Sequence, residues 1–174
     1  MRCQPLRRAL AQFSDSEDEM ELKTTHVGKV LTIERYLSIP EVGPESIVCC
    51  AKAHDTAKSL GLSIEGPWHF ISFGIPRDTK TQFQVKFCLP VSGTSNKLQS
   101  QDIKFEFLGP FYCASRSFQG NLNQLFELGY KPLVEEINNL NSTYTGESRE
   151  VYHAWEGPES ESNIVEIQFG LFRE

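Results

Sequence analysis

Changes in the spacing of apolar residues predict a strand, a helix and two further strands in the first half of the chain. β-Branched and aromatic residues over 29–39 predict a strand that Pro40 would end. Apolar residues at mostly helical spacing predict a helix over about 44–60. Residues 68–75 and 82–89 follow as two strands, and the second has apolar residues at every other position.

The same order is predicted again after a polar, turn-rich connection over residues 92–101. An extended stretch over 103–118 is expected to break near Gly109, and a helix with a regular apolar stripe follows over about 121–140. Pro132 lacks a backbone N–H and is expected to bend this helix locally. Two strands end the chain, at residues 150–155 and 163–172.

The two halves also match in register. Residues 84–89 align without gaps on residues 166–171, a constant offset of 82 (166 − 84). The same offset places Phe70 on Tyr152. Two segments at one offset indicate an internal duplication, because a chance likeness would not be expected to repeat at the same spacing.

These elements predict one α+β domain over residues 21–174, built as tandem β-α-β-β units with two main helices. The units would occupy about residues 27–91 and 102–174. Residues 1–20 contain an acidic run and few large apolar side chains, so we expect a disordered, solvated tail there.

Charge and composition argue against several classes of function. The net charge is −6 at pH 7 with no basic stripe, so direct nucleic-acid binding is not expected. The five cysteines are odd in number and lack C-x-x-C spacing, which disfavours a disulfide framework and suits a reducing cytosol. No apolar run approaches the roughly 20 residues that cross a bilayer, so we expect a cytoplasmic protein without membrane contact.

Motifs for metals, cofactors and common catalytic mechanisms are not apparent in the sequence. The four histidines lack metal-ligand spacing. Cys113, Ser115 and Ser117 form no recognisable nucleophile elbow, and there is no Gly-rich phosphate loop. We therefore expect no metal and no cofactor, and a binding function rather than an enzymatic one.

Glu166 is the residue that the strand pattern singles out. Alternation along the last strand places Val165, Ile167 and Phe169 on one face and Glu166 with Gln168 on the other. A polar residue on the second face of an antiparallel sheet usually meets water. Alternation alone therefore does not make Glu166 a functional residue.

A resemblance to a known family bears on that choice. The segment GPFYCASRSFQGNLNQLFELGYKPLVEEI, followed by EVYHAW and NIVEIQFGL, resembles the GyrI-like effector-binding family. The resemblance covers roughly residues 21–174. It implies tandem units whose antiparallel sheets form a groove, used by multidrug-sensing regulators and stand-alone relatives to hold amphipathic, often cationic compounds.

The resemblance also implies a set of ligand-binding residues. Glu166 falls on the family's ligand-facing glutamate, and Gln84 is its neutral counterpart in the first half, so we expect one cation site. A carboxylate among aromatic rings offers a desolvated cation both Coulomb attraction and cation–π contact. The aromatic candidates for the groove are Trp68, Phe70, Phe73, Tyr112, Tyr152 and Trp155. Trp155 and Tyr152 have opposite parity on one strand, so a regular strand would present only one of them.

Three alternatives remain open at this point. Some GyrI-like proteins hydrolyse cyclopropane-containing compounds, and Glu166 would then act as a general base with a pKa raised by an apolar pocket. A protein-interaction module similar to a gyrase inhibitor is the second alternative, with a protein partner that the sequence does not identify. A haem-binding variant is the third, although no histidine can be carried over as a ligand.

Overall fold

A computed structural model describes residues 19–173, and their backbone forms an antiparallel sheet with both main helices on one side. The sheet order is β1-β7-β9-β8-β4-β5-β2-β6, with β3 paired to β5, and every pairing is antiparallel. The strands are β1 (Glu21–Thr25), β2 (Gly28–Leu37), β3 (Ser63–Ile64), β4 (His69–Phe73), β5 (Phe83–Ser92), β6 (Ile103–Leu108), β7 (Phe111–Gln119), β8 (Tyr144–Ala154) and β9 (Ile164–Leu171). The predicted α+β class is confirmed, as one continuous sheet. All but the last two residues of the predicted tail lie outside the described residues.

Helix α1 (Ile39–Ser59) begins five residues before the predicted start. Ser38 is its N-cap, and the Ser38 and Glu41 side chains form a capping box that satisfies backbone donors of the first turn. Pro40 lies within that first turn, where a missing N–H costs nothing, so it opens the helix and does not end the preceding strand. The helix buries a narrow stripe of small side chains, Cys49, Ala53 and Ala57, on the sheet.

The second helical segment is wound in three different ways. A 3₁₀ turn (Leu122–Gln124) leads into a π-helical turn (Leu125–Tyr130) and then into α2 (Lys131–Asn138). Pro132 offers no N–H to the carbonyl of Leu128 and its ring crowds that carbonyl, so the distortion expected at Pro132 falls on the turn before it.

The leading strand of each half pairs with the other half. β1 lies beside β7, and β6 lies beside β2, so each forms an outer edge of the sheet. Between these edges the two units meet at β4 and β8, where His69 pairs with Val151. Since 69 + 82 = 151, His69 faces its own counterpart across a pseudo-two-fold axis. Edge strand β1 was not predicted, because its residues are largely polar and partly exposed.

The two faces of the sheet differ in what covers them. On the face that carries the helices, here called the helix face, α1 packs over one core and the π-α2 segment over another. Val165, Ile167 and Leu171 are buried in the second core, as the alternation of the last strand predicted. The opposite side is called the open face, and it carries Glu166 and Gln168, both buried.

Candidate functional site

Glu166 and most of the aromatic residues predicted to surround it lie on opposite faces of the sheet. Residues directly opposite each other on paired strands share a face. Glu166 pairs with Val151, whereas Tyr152 pairs with Val165, which lies in the core under the second helix. The expected groove with Glu166 among these rings is therefore not formed, because Glu166 and Tyr152 have opposite parity across β8 and β9.

The predicted aromatic residues divide into three groups. Trp68 and Phe70 pack against the first core of the helix face, and Tyr152 packs against the second. Trp155 follows the end of β8, where a bulge after Tyr152 turns its ring to 5.7 Å from the Tyr152 ring. These four form one neighbourhood around the axis between the halves.

The other two predicted aromatics lie away from that axis. Phe73 is on the open face, where the Lys86 ammonium is 5.6 Å from its ring centroid. Tyr112 packs at the far side of the second core, with the Arg173 guanidinium 4.8 Å from its ring. Both rings already face a cation of the chain itself.

Glu166 is held by neighbours that already satisfy its charge. It is 8% exposed and forms an ion pair with Lys23 of β1 at 3.1 Å. His153 Nε2 lies 3.1 Å from the other carboxylate oxygen, Ser115 donates a hydrogen bond at 3.0 Å, and Gln168 donates another. Burial opposes ionisation, but the contacts with His153, Gln168 and Lys23 outweigh it and lower the pKa of Glu166 below its ordinary value.

A second carboxylate, Glu150 on β8, lies among the aromatic rings of the helix face. The Tyr152 hydroxyl donates to one of its oxygens at 2.5 Å, and the Tyr130 hydroxyl donates to the other. Burial and the nearby Glu150 charge raise the pKa of both tyrosines well above the ordinary value, so both remain protonated donors at neutral pH. Among residues 19–173, no ion pair includes Glu150.

The rings around Glu150 connect the two hydrophobic cores that lie under the two helical segments. Phe70 is the direct cross-strand partner of Glu150, and its ring lies 4.7 Å from the Tyr152 ring. The Tyr152 N–H donates to the Trp68 carbonyl at 3.0 Å, which places these two residues opposite each other. We call this set the aromatic cleft, formed by Trp68, Phe70, Tyr130, Glu150, Tyr152 and Trp155.

The rim of the aromatic cleft is open to solvent. Trp155, whose ring lies 5.7 Å from the Tyr152 ring, is 50% exposed. On the α1 side, burial raises the pKa of the Cys50 thiol to about 12, so the thiol stays neutral. Exposed rings beside a partly buried carboxylate are suited to contact an amphipathic molecule.

Sequence reasoning missed Glu150, although a signal for it was present. Glu150 and Tyr152 have the same parity on one predicted strand, so alternation places both on one face. Glu150 lies in a charged stretch with Glu147 and Arg149, which favours an interpretation as a solvated strand start. Tyr130, the other partner of Glu150, lies in a different element that only the fold brings near.

A cavity of about 340 Å³ lies at the start of β1, and two of the residues that line it, Lys23 and Ser115, contact Glu166. It is lined by residues of both charges, namely Glu19, Glu21, Lys23 and Arg116, together with Met20, Ser115 and Ser117. Because neither charge prevails, this cavity does not favour a cationic ligand.

Within residues 19–173 no helix is long and apolar enough to cross a membrane, and no cluster of three potential metal ligands occurs.

No family model matches the sequence, and no curated protein matches it. Solved structures are similar in fold. The C-terminal domain of EcmrR has a TM-score of 0.66 at 18% identity, with 90% of this chain and 98% of that domain covered. In a complex of EcmrR with DNA the TM-score is 0.72, again at 18% identity with 90% of this chain covered, and the chain spans 58% of the EcmrR chain.

Two further structures have the same arrangement. SAV2435 bound to tetraphenylphosphonium has a TM-score of 0.53 at 11% identity, with 87% of this chain and 94% of that chain covered. A hydrolase encoded by lin2189 from Listeria innocua has a TM-score of 0.59 at 8% identity, with 92% and 94% covered. At these identities the likeness concerns the fold alone. The chain therefore has the same α+β fold as the C-terminal domain of EcmrR.

Proposed function

We propose that this protein binds amphipathic, cationic aromatic molecules in the aromatic cleft, with Glu150 as the countercharge. One observation carries the proposal: Glu150 lies among aromatic rings, is oriented by two tyrosine hydroxyls, and has no cationic partner among residues 19–173. Glu166, by contrast, already pairs with Lys23. A ligand cation would supply the countercharge that Glu150 lacks among residues 19–173.

The energetic advantage for a cation can be bounded. A unit charge about 4 Å from a carboxylate gains about 4 kcal/mol near a protein surface, where the effective dielectric constant is about 20. Glu150 is only half-buried, so screening by water reduces this to roughly 1–2 kcal/mol, or about 5- to 30-fold in Kd. Contact with the faces of Trp68, Phe70 or Trp155 would add about 0.5–1 kcal/mol for each well-placed ring.

The similar structures support this class of ligand. SAV2435 was solved with tetraphenylphosphonium, a lipophilic cation surrounded by phenyl rings. EcmrR was solved with DNA, but the part with which this chain overlaps includes its C-terminal domain. We propose a binding or sensing role for the present chain without direct DNA contact, in keeping with its net charge of −6.

A hydrolase that uses Glu166 as general base is less well supported. A general base for neutral pH benefits from a raised pKa, whereas ion pairing and hydrogen bonds lower the pKa of Glu166. Lys23, His153 and Ser115 also already contact the Glu166 carboxylate oxygens. We therefore assign Glu166 to structural pairing between β1, β8 and β9.

Calorimetric titration with two ions of the same shape tests the proposal. Tetraphenylphosphonium should bind, and tetraphenylborate, which carries the opposite charge on nearly the same framework, should not. Glu150→Gln should weaken tetraphenylphosphonium binding by about 5- to 30-fold. Glu166→Gln is the matched control on the open face and should leave the affinity of the folded protein unchanged. Equal binding of both ions, or a loss confined to Glu166→Gln, would contradict the assignment.

A further inference from the structure

The centre of the aromatic cleft contains four side chains that the duplication relates in pairs. Glu150 and Tyr152 come from β8, and Trp68 and Phe70 come from the corresponding positions at β4. The offset of 82 relates Trp68 to Glu150 (68 + 82 = 150) and Phe70 to Tyr152 (70 + 82 = 152). The pseudo-two-fold axis through the His69 and Val151 pair therefore exchanges an apolar pair with a polar pair.

This exchange gives the cleft two unlike poles. The second half supplies a carboxylate with a hydroxyl donor, and the first half supplies an indole and a phenyl ring at equivalent places. The Phe70 ring joins the poles, because it belongs to the first half and lies 4.7 Å from the Tyr152 ring of the second. The Phe87 ring lies beside Phe70 on β5, 4.8 Å away and edge to face. If the two halves had identical residues here, the position of Trp68 would be a second glutamate.

We propose that Trp68 determines the selectivity of the cleft for monocations over dications and fixes the orientation in which they bind. The inference rests on the proposed function, since it takes cation binding at Glu150 as given. The charged end of the ligand lies at Glu150, and an uncharged aromatic end lies against Trp68 and Phe70. A second charge near Trp68 would lose its hydration on binding. Contact with an indole face offsets less of this desolvation free energy than contact with a carboxylate does.

A pair of probes that differ by one charge suits the spacing of the poles. Diagonal neighbours across two strands lie about 7–8 Å apart, and this is the relation between Trp68 and Glu150. Benzyltrimethylammonium carries one charge beside one ring. para-Xylylene-bis(trimethylammonium) has the same ring with a second charge at its far end, which would lie at the Trp68 pole.

The test compares wild type with Trp68→Glu and with Trp68→Gln, which removes the indole without adding charge. We expect the wild type to bind the monocation at least as tightly as the dication. In Trp68→Glu the ratio of dication to monocation affinity should rise roughly tenfold above that of Trp68→Gln, because a second carboxylate then faces the second charge. An unchanged ratio between the two variants would overturn the role of Trp68.

A fluorescence measurement keeps the proposal testable if a Trp68 variant fails to fold. The chain has two tryptophans, so Trp155→Phe leaves Trp68 as its single indole emitter. Saturating benzyltrimethylammonium should change the Trp68 emission, and tetramethylammonium, which has no ring, should not. No change with either would contradict the orientation. If the wild type binds no cation at all, the proposed function itself fails, whereas binding that depends on Glu150 with an unaltered Trp68 response overturns only this inference.

Discussion

Replacing Glu166 by glutamine should destabilise the protein by about 2 kcal/mol at neutral pH. Removing one partner of a fully buried ion pair costs about 3–5 kcal/mol. The Lys23 side chain keeps 29% of its surface exposed and can recover part of its hydration, which reduces the cost. Glutamine preserves the shape of Glu166, but its amide group cannot accept from both His153 and Gln168.

The pH dependence of this difference follows from the pKa of Glu166. The folded-state pKa lies below the ordinary value of 4.5. The contribution of Glu166 is therefore complete above about pH 4.5 and is lost as the pH falls through the folded-state pKa. The difference in stability between wild type and Glu166→Gln should shrink steadily from about pH 4.5 downward.

Urea unfolding followed by circular dichroism, at several pH values from about 7 to about 3, measures this difference. Glu135→Gln, a substitution at an exposed position of α2, is the control and should change stability by less than about 0.5 kcal/mol. A difference for Glu166→Gln that stays constant across this range would refute the ion-pair reasoning. A difference below about 0.5 kcal/mol at neutral pH would refute it as well.

Two further outcomes test the packing and the electrostatics. Gly129→Ala should destabilise the protein by about 1–3 kcal/mol in urea unfolding, because a Cβ there would lie 2.7 Å from Ile167 Cδ1. This steric clash outweighs the higher helix propensity of alanine. A variant more stable than wild type would contradict this. In a spectrophotometric titration of the five tyrosines, Tyr130→Phe and Tyr152→Phe should each remove one hydroxyl that ionises above the ordinary tyrosine pKa. The contribution of these two hydroxyls to the free energy of unfolding should fall as the pH rises above about 10. Loss of an early-titrating group in either variant would be the contrary result.

Periodicity predicted the main strands and helices because the core residues are repeated at regular spacing. Val165 and Ile167 on β9 are examples, since alternation alone identifies the face that they bury. The features that were missed depend on chemistry outside the apolar pattern. The start of α1 is determined by the Ser38 cap, and β1 is held by pairing with β7 although its own sequence is polar.

The candidate site was harder to predict for a related reason. Alternation assigns Glu166 and Glu150 to faces of their own strands, but only the register between β8 and β9 relates these faces to each other. Trp68, Phe70 and Tyr152, predicted as ligand-binding residues of a groove with Glu166, lie close to one another in the structure. Their partner is Glu150, and the contact with Tyr130 depends on a helical segment whose position no local pattern specifies.

The exchange of leading strands has a consequence for how this architecture can be divided. β1 completes the sheet edge of the second unit, and β6 completes that of the first, so neither unit is finished by its own residues. The arrangement is that of a strand-swapped homodimer whose two subunits have become one polypeptide. The segment between β5 and β6, residues 93–102, then acts as a tether that holds the units at high effective concentration. Within one polypeptide the two copies of one position can differ, as Trp68 and Glu150 do.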